Sequence, residues 1–341
     1  MIAGMDEALN LLTDLPGLRV GHATDLSLGS GVTAVLFDQP AVAAVRIGGG
    51  APGTRDTDLL RAEMTVERVD AIVLSGGSTF GLDAAGGVQA ALREDGRGIA
   101  FGGIHIPLAP QAILFDLLNG GNKDWGRFSP YRDLGYAAAR AAAPGRFALG
   151  SVGAGTGATT AVVKGGLGSA SAVTARGHRV AVIVAVNAVG SPLVGDGPHF
   201  WAAPFEQGAE FGGLGLPPSF QPEHLAPRLK GSAGTATTIG LVVTDAALSK
   251  AQAQRLAIMA DDGLSRAILP AHAPTDGDTV FAAATGAQAL GNPVAALTLL
   301  GHTAAQVMAR AVARAVFEAT ALPWPGAQQA WRDRWGERKM A

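Results

Sequence analysis

A hydroxyl-rich stretch runs straight into an apolar one at "GTATTIGLVVTDA", residues 234–246. Gly234 to Thr238 has the composition of a loop, and Ile239 to Thr244 reads as a core strand. A hydroxyl at the first position of such a strand is either a cap or a nucleophile. Threonine is a weak nucleophile at its own pKa and needs a base beside it. The second stretch with chemical content is "APTDGDTVFA", 273–282, where Asp276 and Asp278 flank one glycine just before another strand. The two carboxylates either cap that strand or converge on a site. Their mutual repulsion calls for a hydroxyl, an ammonium or a lysine nearby.

Other motifs carry less. "GSVGAGTGATT" (150–160) has the glycines of a dinucleotide loop, but no acid for a ribose follows between Ala158 and Val186, and "KGGLGSAS" breaks the helix that should come next. "VLSGGSTFGLDAAGG" (73–87) lacks the Gly-x-Ser-x-Gly spacing of a nucleophile elbow. It is expected to pack a strand end on a helix N-terminus capped by Ser78 or Thr79, with an anion site as the lesser alternative. The seven histidines show no metal-ligand spacing, and His22 and His105 are expected as hydrogen-bonded core residues. No metal or cofactor is expected.

Composition narrows the classes further. The 341 residues are 48% hydrophobic and 16% charged, with a net charge of -2, so a basic face for nucleic acid is not expected. Without cysteine, thiol catalysis, disulfides and thiolate metal sites are excluded. Neither a secretory signal nor a run long enough to span a membrane is visible, so a cytoplasmic chain is expected. The 48 glycines lie at strand-to-loop junctions without a period, as close backbone approach or tight packing of small residues would require.

These residues need a scaffold. Strands are expected at 31–37, 41–48, 70–76, 146–153, 179–190, 237–246 and 278–286, and helices at 79–94, 132–143, 249–269 and 303–320. Ser249 is placed to cap the third helix. Residues 195–230, rich in glycine and proline, are expected to form a long irregular excursion, exposed or partly mobile. No linker divides the chain, so one domain, 1–341, of mixed α/β layers is expected.

Several segments together resemble a known family. They are "LPGLRVGHATD" (15–25), "GGGAPGTRDTDLL" (48–60), "DAIVLSGGSTFGLDAAGGV" (70–88), "GAGTGATTAVVKGGLGSAS" (153–171), "AVNAVGS" (185–191) and "TTIGLVVTDAALSKAQAQRLA" (237–257). The resemblance is to the N-terminal-nucleophile-like hydrolases that include L-aminopeptidase/D-esterase and β-peptidyl aminopeptidase. "GPHFWAAPFE" (197–206) and "PTDGDTVFAAATG" (274–286) are similar to the branch of 6-aminohexanoate-oligomer (nylon oligomer) hydrolases.

The resemblance implies an αββα sandwich and a chain that cuts itself before the catalytic residue. By position that residue is Thr237, giving fragments 1–236 and 237–341 that stay associated as a homotetramer. It also implies roles for Asn187 in positioning or oxyanion binding, for Lys164 as a cation beside the nucleophile, and for Asp276 and Asp278 as partners of the hydroxyl and amine. Thr238 is the rival nucleophile, though a shift by one turns it to the other face of the strand. The implied reaction is amide hydrolysis without cofactor, on 6-aminohexanoate oligomers or nylon-like polyamides. An aminopeptidase on small or β-peptides is the alternative, and an unprocessed binding protein the alternative outside enzymes. One residue departs from the pattern. The nylon-oligomer branch has Asn before the nucleophile and other members have Gly, whereas this chain has Ala236, which offers no amide to polarise the scissile bond. Slow or absent processing is therefore expected.

Overall fold

The computed structural model describes residues 8–231 and 236–336. Gly234 and Thr235 lie outside the described residues. The strands are β1 (Leu18–Asp25), β2 (Ser30–Ile47), β3 (Thr54–Arg55), β4 (Arg68–Ser75), β5 (Ile99–Phe101), β6 (Ile104–Ile106), β7 (Gln111–Ile113), β8 (Gly166–Val173), β9 (Arg179–Asn187), β10 (Thr237–Ala246) and β11 (Thr279–Gln288). The helices are α1 (Ala84–Glu94), α2 (Tyr131–Arg140), α3 (Lys250–Ala267), α4 (Pro293–Phe317) and α5 (Trp331–Trp335).

β2 explains the layering. Its two halves read as separate strands in the sequence, yet they form one strand of 18 residues whose middle, Asp38 to Pro40, is exposed. The first half pairs with β1, and the second pairs with β11. The path therefore runs β3-β7-β4-β2-β11-β10-β9-β8 as one hydrogen-bonded sheet folded into two leaves.

Side-chain alternation along β2 assigns three cores. Val35, Phe37, Ala41 and Ala43 face the inner layer, together with Ile72 and Leu74 of one leaf and Ile183, Leu241 and Phe281 of the other. Val32, Ala34 and Leu36 instead meet α1 and α2, while Val42 and Ala44 meet α3 and α4. The result is helices, leaf, leaf, helices: the αββα sandwich. Strands buried on both faces carry no polar alternation, which is why "VAVIVAV" and "IGLVV" read as unbroken apolar runs.

Ser249 caps α3, accepting from Gln252 N at 3.3 Å while Gln252 answers to Ser249 N at 2.9 Å. α4 starts at Pro293, ten residues before the periodic stretch that marks it in sequence, because Asn292 caps it through Ala295 N at 3.1 Å. Residues 146–153 form no strand; Gly150 and Gly153 adopt positive φ, and a single bridge from Gly150 to Leu167 replaces a ladder. β8, mostly glycine, serine and alanine, and β1, whose apolar residues are interrupted by Arg19, Gly21 and His22, carry no strand pattern in the sequence.

The excursion of 195–230 is irregular, as expected, but anchored. Phe200 and Phe211 enter the core, and Glu210 meets Arg310 of α4 at 2.6 Å. His22 is half-buried and bonded to Thr33 Oγ1 at 3.0 Å; desolvation of its ring pushes its pKa down to about 4. His105 corrects the expectation of a core histidine: it lies exposed on the β5–β6 hairpin. Ser78 and Thr79 do not cap α1 but sit inside a 3-10 turn, and the Gly77 N–H that an anion would use is taken by Asp116 Oδ1 at 2.8 Å. No described helix is long and apolar enough to cross a membrane.

Candidate active site

Strand pairing sets the first contacts. Thr237, the first residue of β10, is buried and lies opposite Asn187, the last residue of β9. Ala236 forms a parallel bridge with Asp276, so the turn before β11 runs alongside the β10 entry. The Thr237 hydroxyl donates to the carbonyl oxygen of Ala236. Gly277 N donates to that same oxygen at 3.0 Å. A hydroxyl and an N–H thus converge on the peptide carbonyl that precedes Thr237.

The acid turn is held by backbone donors. Asp278 Oδ1 accepts from Thr238 N at 2.7 Å, and its Oδ2 accepts from His272 N at 3.0 Å and faces His272 Nδ1 at 3.0 Å. Asp276 accepts from Val189 N at 3.3 Å and Ala273 N at 3.1 Å. Burial, and then the neighbouring Asp278, push the Asp276 carboxyl up to about 6. The glycines of "GGGAPG" let this turn approach: a Cβ on Gly49 would stand 2.3 Å from Asp276 O and 2.5 Å from Asp278 N.

The opposite flank is cationic. Asn187 Oδ1 accepts from Thr159 N at 2.9 Å and from Lys230 Nζ at 2.8 Å, and its Nδ2 donates to Phe115 O at 2.9 Å. Lys230 also donates to Thr159 O at 3.0 Å. Burial lowers the Lys230 ammonium to about 7, against the attraction of Asp276 and Asp116. Lys164 is fully buried, and burial lowers it likewise to about 7. Its hydrogen bonds go to Gly165 O at 3.0 Å and Gly155 O at 3.2 Å, not to Thr237. A cleft of about 400 Å³ opens beside Asn187, lined by Phe115, Asp116, Thr159, Lys230, Trp324 and others. Asp116 is wholly buried, with Ser30 Oγ on its Oδ2 at 2.6 Å and Gly77 N on its Oδ1; burial raises its pKa.

Thr237, Asn187, Asp276 and Asp278 are therefore brought together, and Lys164 belongs to the same buried region without touching the hydroxyl. Lys230, Thr159, Asp116 and His272 had no signal in the sequence reading. Lys230 ends a stretch without periodicity, and His272 passed as one histidine among seven. No cluster of three or more potential metal ligands occurs among the described residues.

The fold agrees with solved structures. A β-aminopeptidase of Burkholderia sp. superposes with a TM-score of 0.69 at 23% identity, covering 98% of this chain and 96% of that one. The L-aminopeptidase D-Ala-esterase/amidase of Ochrobactrum anthropi, a variant of the N-terminal-nucleophile hydrolase fold, matches with a TM-score of 0.69 at 18% identity over 98% and 97%. The architecture is thus that of the N-terminal-nucleophile hydrolases. The chain belongs to peptidase family S58, whose model matches residues 10–329. Its sequence is 44% identical over 334 residues to an uncharacterized aminopeptidase of Mycobacterium tuberculosis, covering 91% of this chain and 94% of that protein. It is 29% identical over 279 residues to a 6-aminohexanoate-oligomer endohydrolase of Kocuria sp., covering 80% and 74%. The chain is a hydrolase of the peptidase class.

Proposed function

We propose that this chain is a self-processing amide hydrolase whose nucleophile is Thr237, released by a cut between Ala236 and Thr237. One observation carries the reading: the Thr237 hydroxyl and the Gly277 N–H both rest on the Ala236 carbonyl oxygen. Attack of Oγ1 on that carbonyl carbon breaks the bond to the Thr237 nitrogen and forms an ester, the hydroxyl proton passing to the departing nitrogen. The Gly277 N–H faces the oxygen on which negative charge develops. Water then hydrolyses the ester, leaving a carboxylate on Ala236 and a free amine and hydroxyl on Thr237.

That amine, with a pKa of about 7.7–8.0 when unperturbed, takes the hydroxyl proton during attack on a substrate amide and returns it to the leaving amine. Asn187, opposite Thr237, is the side-chain donor for the oxyanion or the group that positions the nucleophile. The cations Lys230 and Lys164 favour the neutral amine. Asp276 and Asp278 hold the amine side of the nucleophile. Ala236 contributes no side-chain donor, so the cut relies on backbone polarisation and runs slowly.

The substrate reading is 6-aminohexanoate oligomers and nylon-like polyamides, cut internally. It is supported by the cleft lining, where the only acid among the described residues is Asp116 and both its oxygens are already engaged. No described carboxylate of the lining is left to demand a free substrate ammonium. The names of the relatives at 44% identity favour a second reading, an aminopeptidase. The processed units are proposed to assemble as a homotetramer, which light scattering measures directly.

An intact mass spectrum after prolonged incubation tests the first step. Fragments meeting between Ala236 and Thr237 are expected, forming faster in Ala236→Asn and not at all in Thr237→Ala. A cut elsewhere would sink the Thr237 assignment. Hydrolysis of an N-blocked oligomer separates the two substrate readings, since an aminopeptidase leaves it intact. An Ala236→Asn protein that stays whole and inert would point instead to a non-catalytic binding protein.

A further inference from the structure

His272 stands outside the residues the mechanism uses, yet both its backbone and its ring are constrained beside them. Its backbone φ is 58°, a conformation non-glycine residues adopt rarely and at a cost. Its ring lies between two carboxylates, Nδ1 at 3.0 Å from Asp278 Oδ2 and Nε2 at 3.5 Å from Asp261 Oδ2. Nδ1 is hydrogen-bonded to the Asp278 carboxylate, an acceptor only, while Nε2 faces Asp261 at ion-pair distance. Asp261 projects from α3 and is also 3.5 Å from Arg46 of β2. Gly48 leaves room for the ring: a Cβ there would sit 3.0 Å from His272 Nδ1 and 3.1 Å from Asp261 Oδ2. The sequence pays for this placement twice, with strain at 272 and with glycine at 48.

What the ring holds is the acid that holds β10. Asp278 uses Oδ2 for the ring and backbone of His272, which leaves Oδ1 for Thr238 N, one residue past the proposed nucleophile. We propose that His272 is a positioning residue of this hydrolase: as an imidazolium bridging Asp261 and Asp278, it clamps Asp278 from behind and so fixes the entry of β10 and the Thr237 hydroxyl. The proposal rests on Thr237 being the nucleophile. It also divides the labour of the two acids. With three donors aimed at Asp278, the carboxyl free to hold a proton near neutrality is Asp276, lifted to about 6 by burial and by Asp278.

The charged groups facing the ring are Asp278 on its own loop, Asp261 on α3 and Arg46 on β2. The hydrogen bond to Asp278 raises the His272 pKa, burial lowers it, and Asp261 raises it again, with a net upward shift.

The positive φ supplies a clean test, because glycine adopts it freely and His272→Gly relieves strain instead of adding it. In that variant kcat, and the rate of fragment formation, should fall about thirtyfold, a part of the ~10²–10⁴ that acid–base catalysis supplies. KM should stay within twofold, and added imidazole should restore much of the loss by re-entering the vacated space. An unchanged kcat, or a loss that imidazole leaves in place, overturns the proposal. A second readout needs no activity. Nitrogen-15 NMR of the His272 ring at pH 6.5 should show both nitrogens protonated in the intact chain, and a neutral ring overturns the proposal. Hydrolysis surviving in Thr237→Ala would remove the underlying reading instead, so the two failures are distinguishable.

Discussion

Thr237 has two unlike flanks. On one side Asp276, Asp278 and His272 come from a single turn of seven residues, and their polar atoms are met by backbone N–H groups of the same turn and of β10. On the other side Lys230, Thr159, Asn187 and the pair Phe115-Asp116 come from four separate stretches of chain, and the cations there lean on carbonyl oxygens and an amide. The acid flank is a local structure that a short sequence can specify. The lysine flank exists only once the two leaves have packed. Its electrostatics follow from burial of charge, whereas the acid flank combines burial with the repulsion of two like neighbours.

That contrast predicts where substitution hurts most. Gly277 belongs to the acid turn and gives its N–H to the Ala236 carbonyl. A Cβ there would stand 2.8 Å from Thr237 Oγ1 and 2.8 Å from Ala51 O, so the turn must shift and the N–H with it. Losing one oxyanion donor costs about 10²–10³ in rate. Gly277→Ala is expected to slow fragment formation by that factor in a mass-spectrometric time course. Normal processing would show that the acid turn does not polarise the scissile carbonyl.

A smaller loss is expected across the site. Lys230→Met keeps the length of the stem and removes the donor that holds Asn187 Oδ1, which Thr159 N still holds. One of two restraints remains, so kcat should fall about tenfold, the worth of ~1.4 kcal/mol, with β9 and β10 unmoved. Steady-state kinetics on an amide substrate, with circular dichroism as the control for folding, checks this. A fall as deep as that of Gly277→Ala would place Lys230 in direct contact with the reacting atoms.

The flanks also separate on the pH axis. The Asp276 pKa is raised in the folded state, so its contribution is full below the unfolded value and is lost as pH rises through about 6. Lys164 is lowered to about 7, so the folded state binds fewer protons than the unfolded one above that pH, and stability rises from about pH 7 upward. Each effect is of the order of a few kcal/mol at most. Measured against the uncut Thr237→Ala chain, thermal melts in Asp276→Asn should lose the part of the pH 4 to 6 dependence that falls with pH, and in Lys164→Met should lose part of the rise above pH 7, Lys230 keeping the rest. One substitution flattening both windows would mean the flanks titrate as a single network.

What was legible in the sequence follows the same division. "PTDGDTVF" announced two acids on one turn, and "TTIGLVV" announced a buried strand with a hydroxyl at its start, because both are properties of adjacent residues. Lys230 and Asp116 could not be seen, since their hydrogen-bond partners lie 39 to 86 residues away in the chain. β2 was split in two for a related reason: its exposed centre, Asp38-Gln39-Pro40, is a corner between leaves, and a corner looks like a loop when only neighbours are compared. Resemblance supplied Asn187 and Lys164, and the geometry assigns them different surroundings, Asn187 opposite Thr237 and Lys164 on two glycine carbonyls.

The smallest effect separates the two threonines. Thr238 follows Thr237 on β10, but alternation turns its side chain to the other face, and its hydroxyl finds no hydrogen-bond partner among the described residues. It is wholly buried. A buried hydroxyl without a partner is a cost to folding, and valine matches its shape without the oxygen, so Thr238→Val should be neutral or stabilising by about 1 kcal/mol. Its backbone N–H, which Asp278 requires, is untouched. Processing and turnover should therefore stay within twofold of the parent, measured beside Thr237→Ala, which should abolish both. Were Thr238→Val to stop the cut, the nucleophile would sit one residue later, and the flanks described here would surround the wrong hydroxyl.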